Sequence, residues 1–375
     1  MAYAQIVGWG YAVPARVLTN FDLEKMVDTS DEWIRTRTGI SERRIAGPKE
    51  STSTLATRAA QNALQVADLS PGRVDLVIVA TSTPDYPVPS VASLVQDSIG
   101  ASRAGAFDVN AACSGFIYAL AVASGLISSG LYETILIIGA DTLSRIVDWT
   151  DRSTCVLFGD GAGALLLRRS ESPTGLRSCV LGSDGSGVSS LLIPAGGSRN
   201  PLTPEHLQNR QNTIKMKGSE VYRFAISTIV QATRQALDAA GMRVDDIDLF
   251  IPHQANIRII QAAARALDIP DEKVFSNVHR YGNTSAASIP IALCEAIESG
   301  RVRVGANLAL VGFGAGLSWG AAIVQWGVDT TPVPIAWWKS VLRNLHSREA
   351  MVRSFALRTQ RRLDALRRLN GIHGV

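Results

Sequence analysis

Apolar residues fall in short continuous runs separated by helical periods, and this pattern predicts most of the chain. VDLVIVA at 74–80 and TILIIGA at 134–140 read as strands, each preceded by a helical stretch; for the first this is Leu55–Ala67. Strands apolar at every position must be covered on both faces, so the alternation implies an α/β fold with helices on each side of a sheet.

The pattern then recurs. IDLFIPH at 247–253 echoes VDLVIVA. The helix end Ile127-Ser-Ser-Gly130 matches Ile297-Glu-Ser-Gly300, and ILIIG at 135–139 matches LALVG at 308–312. Gly161-Ala-Gly163 and Gly314-Ala-Gly316 each open a small-residue apolar stretch suited to a closing hairpin. In this register Cys113 and Asn283 both stand 14 residues before their matched isoleucines, which predicts that they face each other across a pseudo-twofold axis. A duplicated α/β domain follows. We place its halves at residues 1–175 and 176–328, with a loop-rich insertion over 182–218. A third segment, 329–375, begins at Asp329-Thr-Thr-Pro-Val-Pro334, because prolines end a sheet.

Length and composition narrow the class. The 375 residues exceed one ordinary core, and 46% hydrophobic content excludes disorder for the bulk. The apolar runs are far shorter than the roughly 20 residues that a membrane span needs, and the start MAYAQIVGWG lacks the features of a secretory signal. Four scattered cysteines, Cys113, Cys155, Cys179 and Cys294, with no CxxC pair, fit a reduced cytoplasmic chain without a zinc site.

Charge is concentrated at one end. Residues 329–375 hold nine Lys/Arg against three Asp/Glu, so of the net +4 the tail carries +6 and residues 1–328 carry −2. The basicity is therefore no nucleic-acid footprint of the whole protein. Within the tail, Trp338, Val341, Leu342, Leu345, Val352, Phe355, Leu363 and Leu366 recur at near-helical spacing between arginines. This predicts an amphipathic helix suited to an anionic membrane surface or an acidic partner, to packing on a second copy of its own chain, or a frayed appendage.

The chemistry-bearing residues sit at element junctions. Cys113 stands in NAACSGF at 110–116, between a strand and a helix, where free amides and the helix dipole favour a thiolate. Its backbone N–H can serve an oxyanion site, and small neighbours admit a carbonyl. The other three cysteines read as buried packing. His253, in PHQANIR at 252–258, follows a strand and precedes a helix, a position that keeps imidazole neutral, or it is a loop histidine satisfied by backbone. Asn283, in RYGNTSAASIP at 280–290, can donate to a developing oxyanion, or simply start a turn. GFGAGLSWG at 312–320 allows close backbone approach; neither it nor Gly159–Gly163 has the helix context of a phosphate loop.

Together these four motifs resemble the β-ketoacyl-acyl carrier protein synthase III family of the thiolase superfamily, over about residues 3–328. The resemblance implies a duplicated thiolase-like five-layer αβαβα sandwich, usually a homodimer, with a Cys–His–Asn triad at Cys113, His253 and Asn283. It implies an oxyanion site from the N–H groups of Cys113 and Gly316. An acyl-CoA would prime Cys113, and malonyl-acyl carrier protein would then condense with loss of carbon dioxide to give a β-ketoacyl product. No metal or other cofactor is implied, the CoA thioester being a substrate. The family's CoA groove maps to Trp33, Arg37, Arg152, Gly218, Tyr222 and Asn256, with Trp33 and Arg152 sandwiching the adenine. Carrier-protein docking maps to Arg258, with Lys215 and Lys217 adding charge. Val88 replaces a frequently bulkier residue of the acyl pocket, which predicts room for a longer or branched primer. A ketosynthase-like acyltransferase, a secondary-metabolite condensing enzyme and a silent binding partner of the same fold are the alternatives.

Overall fold

The computed structural model describes residues 2–330 together with Ala356, Thr359, Gln360 and Leu363. Those last four are helical and exposed; the rest of the predicted tail helix lies outside the described residues.

Among the described residues nine strands build two sheets: β1 (Tyr3–Ala12), β2 (Leu76–Ala80), β3 (Gly105–Val109), β4 (Thr134–Thr142) and β5 (Asp160–Ser170), then β6 (Gly175–Ser183), β7 (Leu249–Pro252), β8 (Asn307–Gly314) and β9 (Ser318–Gln325). Seven helices pack on them: α1 (Asp31–Thr38), α2 (Thr52–Val66), α3 (Val91–Ile99), α4 (Gly115–Ser128), α5 (Gly218–Ala240), α6 (Ile257–Ala266) and α7 (Ser288–Glu298). The first sheet runs β1-β5-β4-β2-β3 and the second β7-β8-β9-β6. In each, parallel strands (β2 with β3 and β4; β7 with β8) give way to antiparallel partners at the hairpins β4–β5 and β8–β9. A parallel bridge from Phe250 to Val274 extends the second sheet where β3 extends the first.

The pleat explains why the strands are apolar throughout. On β2, Val77 and Val79 face α2 and α3 along with Leu55, Ala59 and Val95, whereas Leu76 and Ile78 face the middle of the molecule. There α4 and α7 lie between the sheets, with Phe116, Ile117, Ile289 and Leu293 packed against Ile137 on one side and Leu310 on the other. On the far side Ala309, Val311 and Ile323 meet Ile229, Ala236 and Ile259 of α5 and α6. The result is the expected five layers, αβαβα. Each central helix touches both sheets, and the turns that precede them, Ala112–Ser114 and Ser285–Ala287, pack on each other, which brings Cys113 and Asn283 to one place.

Local signals start the outer helices. Ser51 forms a capping box with Thr54 ahead of α2, and Ser90 caps α3. The stretch 182–218 is mostly irregular, as expected, with two short strands, Leu191–Leu192 and Lys215–Met216, paired across it.

Candidate active site

Cys113 follows β3 on a single tight turn, Ala112–Ser114, immediately before α4. Ala112 holds a positive φ of 47°, and Gly115 brings the helix start against Ala80, where an added Cβ would lie 3.2 Å from that residue's own. Beneath the turn, the hydroxyls of Ser114 and Ser318 stand 2.9 Å apart, and both donate to the Ala111 carbonyl. This pair ties the nucleophile loop to the β8–β9 turn. Gly314 is consequently pressed on Cys113: a Cβ there would sit 2.7 Å from the Cys113 nitrogen.

His253 continues β7 by one residue, its N–H donating to the Val311 carbonyl at 2.7 Å. Its ring meets the edge of Phe313 at 5.1 Å between centroids, and Nδ1 lies 2.6 Å from the Ser288 hydroxyl. Asn283 is held by the first half of the chain. Its N–H donates to the Leu157 carbonyl at 2.8 Å, and its carbonyl accepts from Gly159 N–H at 3.0 Å. Its Oδ1 accepts from Ser285 N–H at 2.8 Å, which turns the amide nitrogen away from that bond.

Cys113, His253 and Asn283 line one cavity of about 150 Å³, walled mainly by apolar side chains such as Leu157, Phe158 and Met216. Gly218, Tyr222 and Asn256 line it too. An outer cavity shares Gly218 and Tyr222 and adds Arg37, Arg223 and Arg258, so a basic mouth leads toward an apolar interior. Asn256 also caps α6 and donates to the Arg37 carbonyl at 3.0 Å, combining a structural and a lining role.

Burial sets the electrostatics. Desolvation holds the His253 imidazole neutral down to about 3. The expected neutrality is present, but its cause is the dry pocket, with no helix N-terminus involved, since α6 begins only at Ile257. The thiol departs from expectation. Desolvation pushes Cys113 up to about 12; the Ser285 hydroxyl favours its thiolate, while the negative charge of Asp141 opposes it. Loss of water thus outweighs the amides of one short turn and favours the neutral thiol. Asp141 itself is fully buried, and burial raises its pKa against the pull of many donors. Its Oδ1 accepts from Ser82 N–H at 2.8 Å and Thr83 Oγ1 at 2.9 Å, and its Oδ2 from Ala286 N–H at 3.2 Å.

Other expected positions divide. Arg152 lies over the Trp33 ring, 5.0 Å from its centroid, and donates to the Asp28 carbonyl. Arg152 thus covers the ring face directly, so a base sandwiched between the two requires Arg152 to move. Arg258 lies over Tyr222, 5.6 Å from the ring centroid. Lys215 is engaged by Asp148 at 3.4 Å and Lys217 by Glu220 at 3.6 Å, which compensates the charge both were expected to offer. Gly316 lies in the β8–β9 turn with φ 141° and does not line the cavity; Gly314 does. Val88 is 83% exposed on the loop before α3, remote from this chain's cavity lining.

Sequence reasoning quoted Gly314 but gave its role to Gly316, and assigned none to Phe313, Ser285 and Ser288. All four lie inside the quoted motifs, and only their packing distinguishes them from the neighbours.

A five-layer duplicated sandwich with a thiol, an imidazole and a carboxamide on one dry cavity defines an acyltransferase of the thiolase-fold condensing class. Residues 107–185 match the family model described as 3-oxoacyl-[acyl-carrier-protein (ACP)] synthase III, and residues 237–326 match the model of its C-terminal region. The β-ketoacyl-[acyl-carrier-protein] synthase III of Roseiflexus sp. (strain RS-1) is 52% identical over 86% of this chain and 98% of its own. That of Symbiobacterium thermophilum is 54% identical over the same shares. The crystal structure of the Aquifex aeolicus VF5 enzyme, 49% identical, superposes with a TM-score of 0.80 over 86% of this chain and all of its own. This chain belongs to the β-ketoacyl-acyl carrier protein synthase III family, and it is a condensing enzyme.

Proposed function

We propose that the enzyme loads an acyl group from an acyl-CoA onto Cys113 and condenses it with malonyl-acyl carrier protein. The observation that carries this reading is the shared apolar cavity of Cys113, His253 and Asn283.

In the first half-reaction the Cys113 sulfur attacks the thioester carbonyl, the bond to CoA sulfur breaks, and the thiol proton leaves on CoA. The N–H of Cys113, with the β8–β9 turn pressed against it, donates to the oxyanion; for Gly316 to be the second donor in this reading, the β8–β9 turn must swing its N–H toward the cavity that it does not line here. In the second half-reaction the malonyl C–C bond breaks, carbon dioxide departs, and the electron pair passes into an enolate. His253 and Asn283 donate to its oxygen. Neutral donors in a dry pocket stabilise a charge that appears only on the way to the transition state. The enolate carbon then attacks the acyl carbonyl, the C–S bond breaks with Cys113 leaving as thiolate, which takes up a proton from solvent, and a β-ketoacyl thioester results. No step draws on a metal or a redox cofactor.

The entrance agrees with these substrates. Arg37, Arg223 and Arg258 at the mouth match the phosphates of CoA and an acidic carrier protein, and Trp33 offers a ring face once Arg152 swings aside. A homodimer fits the free edge of β3, where Phe107 is 37% exposed. Val88 would then serve the partner's acyl pocket, leaving room for a longer or branched primer. A cytoplasmic location follows from the substrates.

Mass spectrometry of the protein incubated with an acyl-CoA panel, with and without malonyl-acyl carrier protein, tests the proposal. An acyl adduct on Cys113, consumed only when the malonyl donor is added, is expected. An adduct discharged to other acceptors without loss of carbon dioxide would instead establish plain acyl transfer.

A further inference from the structure

The donor role given to His253 depends on which ring nitrogen carries the single proton of a neutral imidazole. Nδ1 meets Ser288 Oγ at 2.6 Å, and the two residues are 1% and 2% exposed, so no bulk water competes for that contact. A hydroxyl has one proton to give and two lone pairs to receive. The backbone N–H of Gln254 points at the same Oγ from 3.4 Å and occupies an accepting position. The Ser288 proton therefore goes to the remaining neighbour, Nδ1. An imidazole that accepts at Nδ1 carries its own proton on Nε2, the nitrogen left for the cavity.

We infer that Ser288 is a positioning residue that locks His253 as the Nε2–H tautomer, making it a hydrogen-bond donor to substrate oxygen and denying it the role of base toward Cys113. The inference rests on the proposed donor role of His253 and specifies how the fold enforces it.

Asn283 is treated in the same way. Its Oδ1 is tied to the Ser285 N–H, which leaves Nδ2 to donate. One short segment, 285–288, thus neutralises an accepting atom on each of the two second-half residues. Ser285 does so through its backbone at a positive φ of 52°, and Ser288 through its hydroxyl at the first residue of α7. The cavity consequently presents two donors and no ring acceptor to a carbonyl, an arrangement matched to an enolate oxygen. It also separates the half-reactions. Acyl transfer to Cys113 does not need an Nε2 proton, whereas stabilising the enolate does.

Long-range proton–nitrogen NMR on the full-length enzyme with ¹⁵N-labelled histidine reads the tautomer directly, the His253 signals being identified by their loss in His253→Gln. Protonated Nε2 with bare Nδ1 at neutral pH is expected; protonated Nδ1 overturns the inference, whether or not the enzyme condenses. Kinetics supply the second readout. In Ser288→Ala, condensation is expected to fall about tenfold more than acylation of Cys113 by acyl-CoA, the scale of one lost buried hydrogen bond, with recovery in Ser288→Thr. Equal losses in both half-reactions would show a merely structural serine and overturn it. A wild-type enzyme that shows the Nε2–H tautomer yet forms no β-ketoacyl product would instead remove the condensation reading on which the donor role depends.

Discussion

Asn283 of the second half hangs from Leu157 of the first, its N–H donating to that carbonyl at 2.8 Å, while its own Oδ1 is taken by Ser285. Asn283 is thus fixed at its backbone N–H, its backbone carbonyl (which accepts from Gly159) and its Oδ1 before any substrate arrives, which leaves the carboxamide NH₂ to donate. Asn283→Asp keeps the shape and the Oδ1 contact but replaces two donor protons with an accepting oxygen. Condensation should drop by about 10²–10³-fold, the usual cost of one oxyanion donor, with a thermal melt close to wild type. A product-release assay reads the rate, and near-normal turnover would exclude Asn283 as a donor.

The thiol makes a pH prediction. With burial raising Cys113 to about 12, its thiolate fraction grows tenfold per pH unit across the neutral range. Alkylation by iodoacetamide should accelerate steadily from pH 6 to about 9 with no plateau. A plateau near neutrality, seen by mass spectrometry of the alkylated cysteine, would mean that the helix start dominates after all.

His253 makes a stability prediction of definite sign. In the folded state it stays neutral to about 3, whereas its ordinary value is 6.5. Between those values the unfolded chain binds the extra proton, so this contribution is intact above 6.5 and is lost as pH falls toward 3. The total is on the order of a few kcal/mol. Denaturant unfolding of wild type and His253→Gln should show the wild-type curve falling more steeply over that range. Parallel curves would contradict it.

Gly314 and Gly72 form a matched pair for a steric test. A Cβ at Gly314 meets the Cys113 nitrogen at 2.7 Å and its Cβ at 3.1 Å, whereas at Gly72 it meets nothing within 4 Å. Gly314→Ala must displace the nucleophile, and at an overpacking cost of about 1–3 kcal/mol adduct formation should slow at least tenfold. Gly72→Ala should leave it unchanged. Equal rates in the two variants would show that the turn is not pressed on the thiol.

Arg258, stacked on Tyr222 at the mouth, tests carrier-protein docking. In Arg258→Glu the KM for malonyl-acyl carrier protein should rise about tenfold and lose part of its salt dependence, the behaviour of a steering charge at an interface rim. Steady-state kinetics at two ionic strengths measure both, and an unaltered KM would move the docking site elsewhere.

Sequence alone determined the alternation of strands and helices and the duplication, because strands buried on both faces must be apolar throughout; the five layers were implied only by the resemblance of its motifs to a family. It also determined that Cys113 and Asn283 would meet, since equal offsets from matched helix ends put both at the pseudo-axis. Tertiary structure decided the rest, and the reason is desolvation and packing. Local context favoured a thiolate at Cys113, yet burial among both halves of the chain left a neutral thiol. Gly314 and Gly316 look alike in GFGAG, but the Ser114–Ser318 contact presses the first against the nucleophile. The motif at 280–290 holds two serines close to Asn283 that no pattern separates; only the approach of β7 to the start of α7 brings His253 to one of them, Ser288. Which atoms can donate in the cavity is therefore a property of how the two halves close on each other, because each polar atom buried there must first satisfy the neighbours that packing supplies.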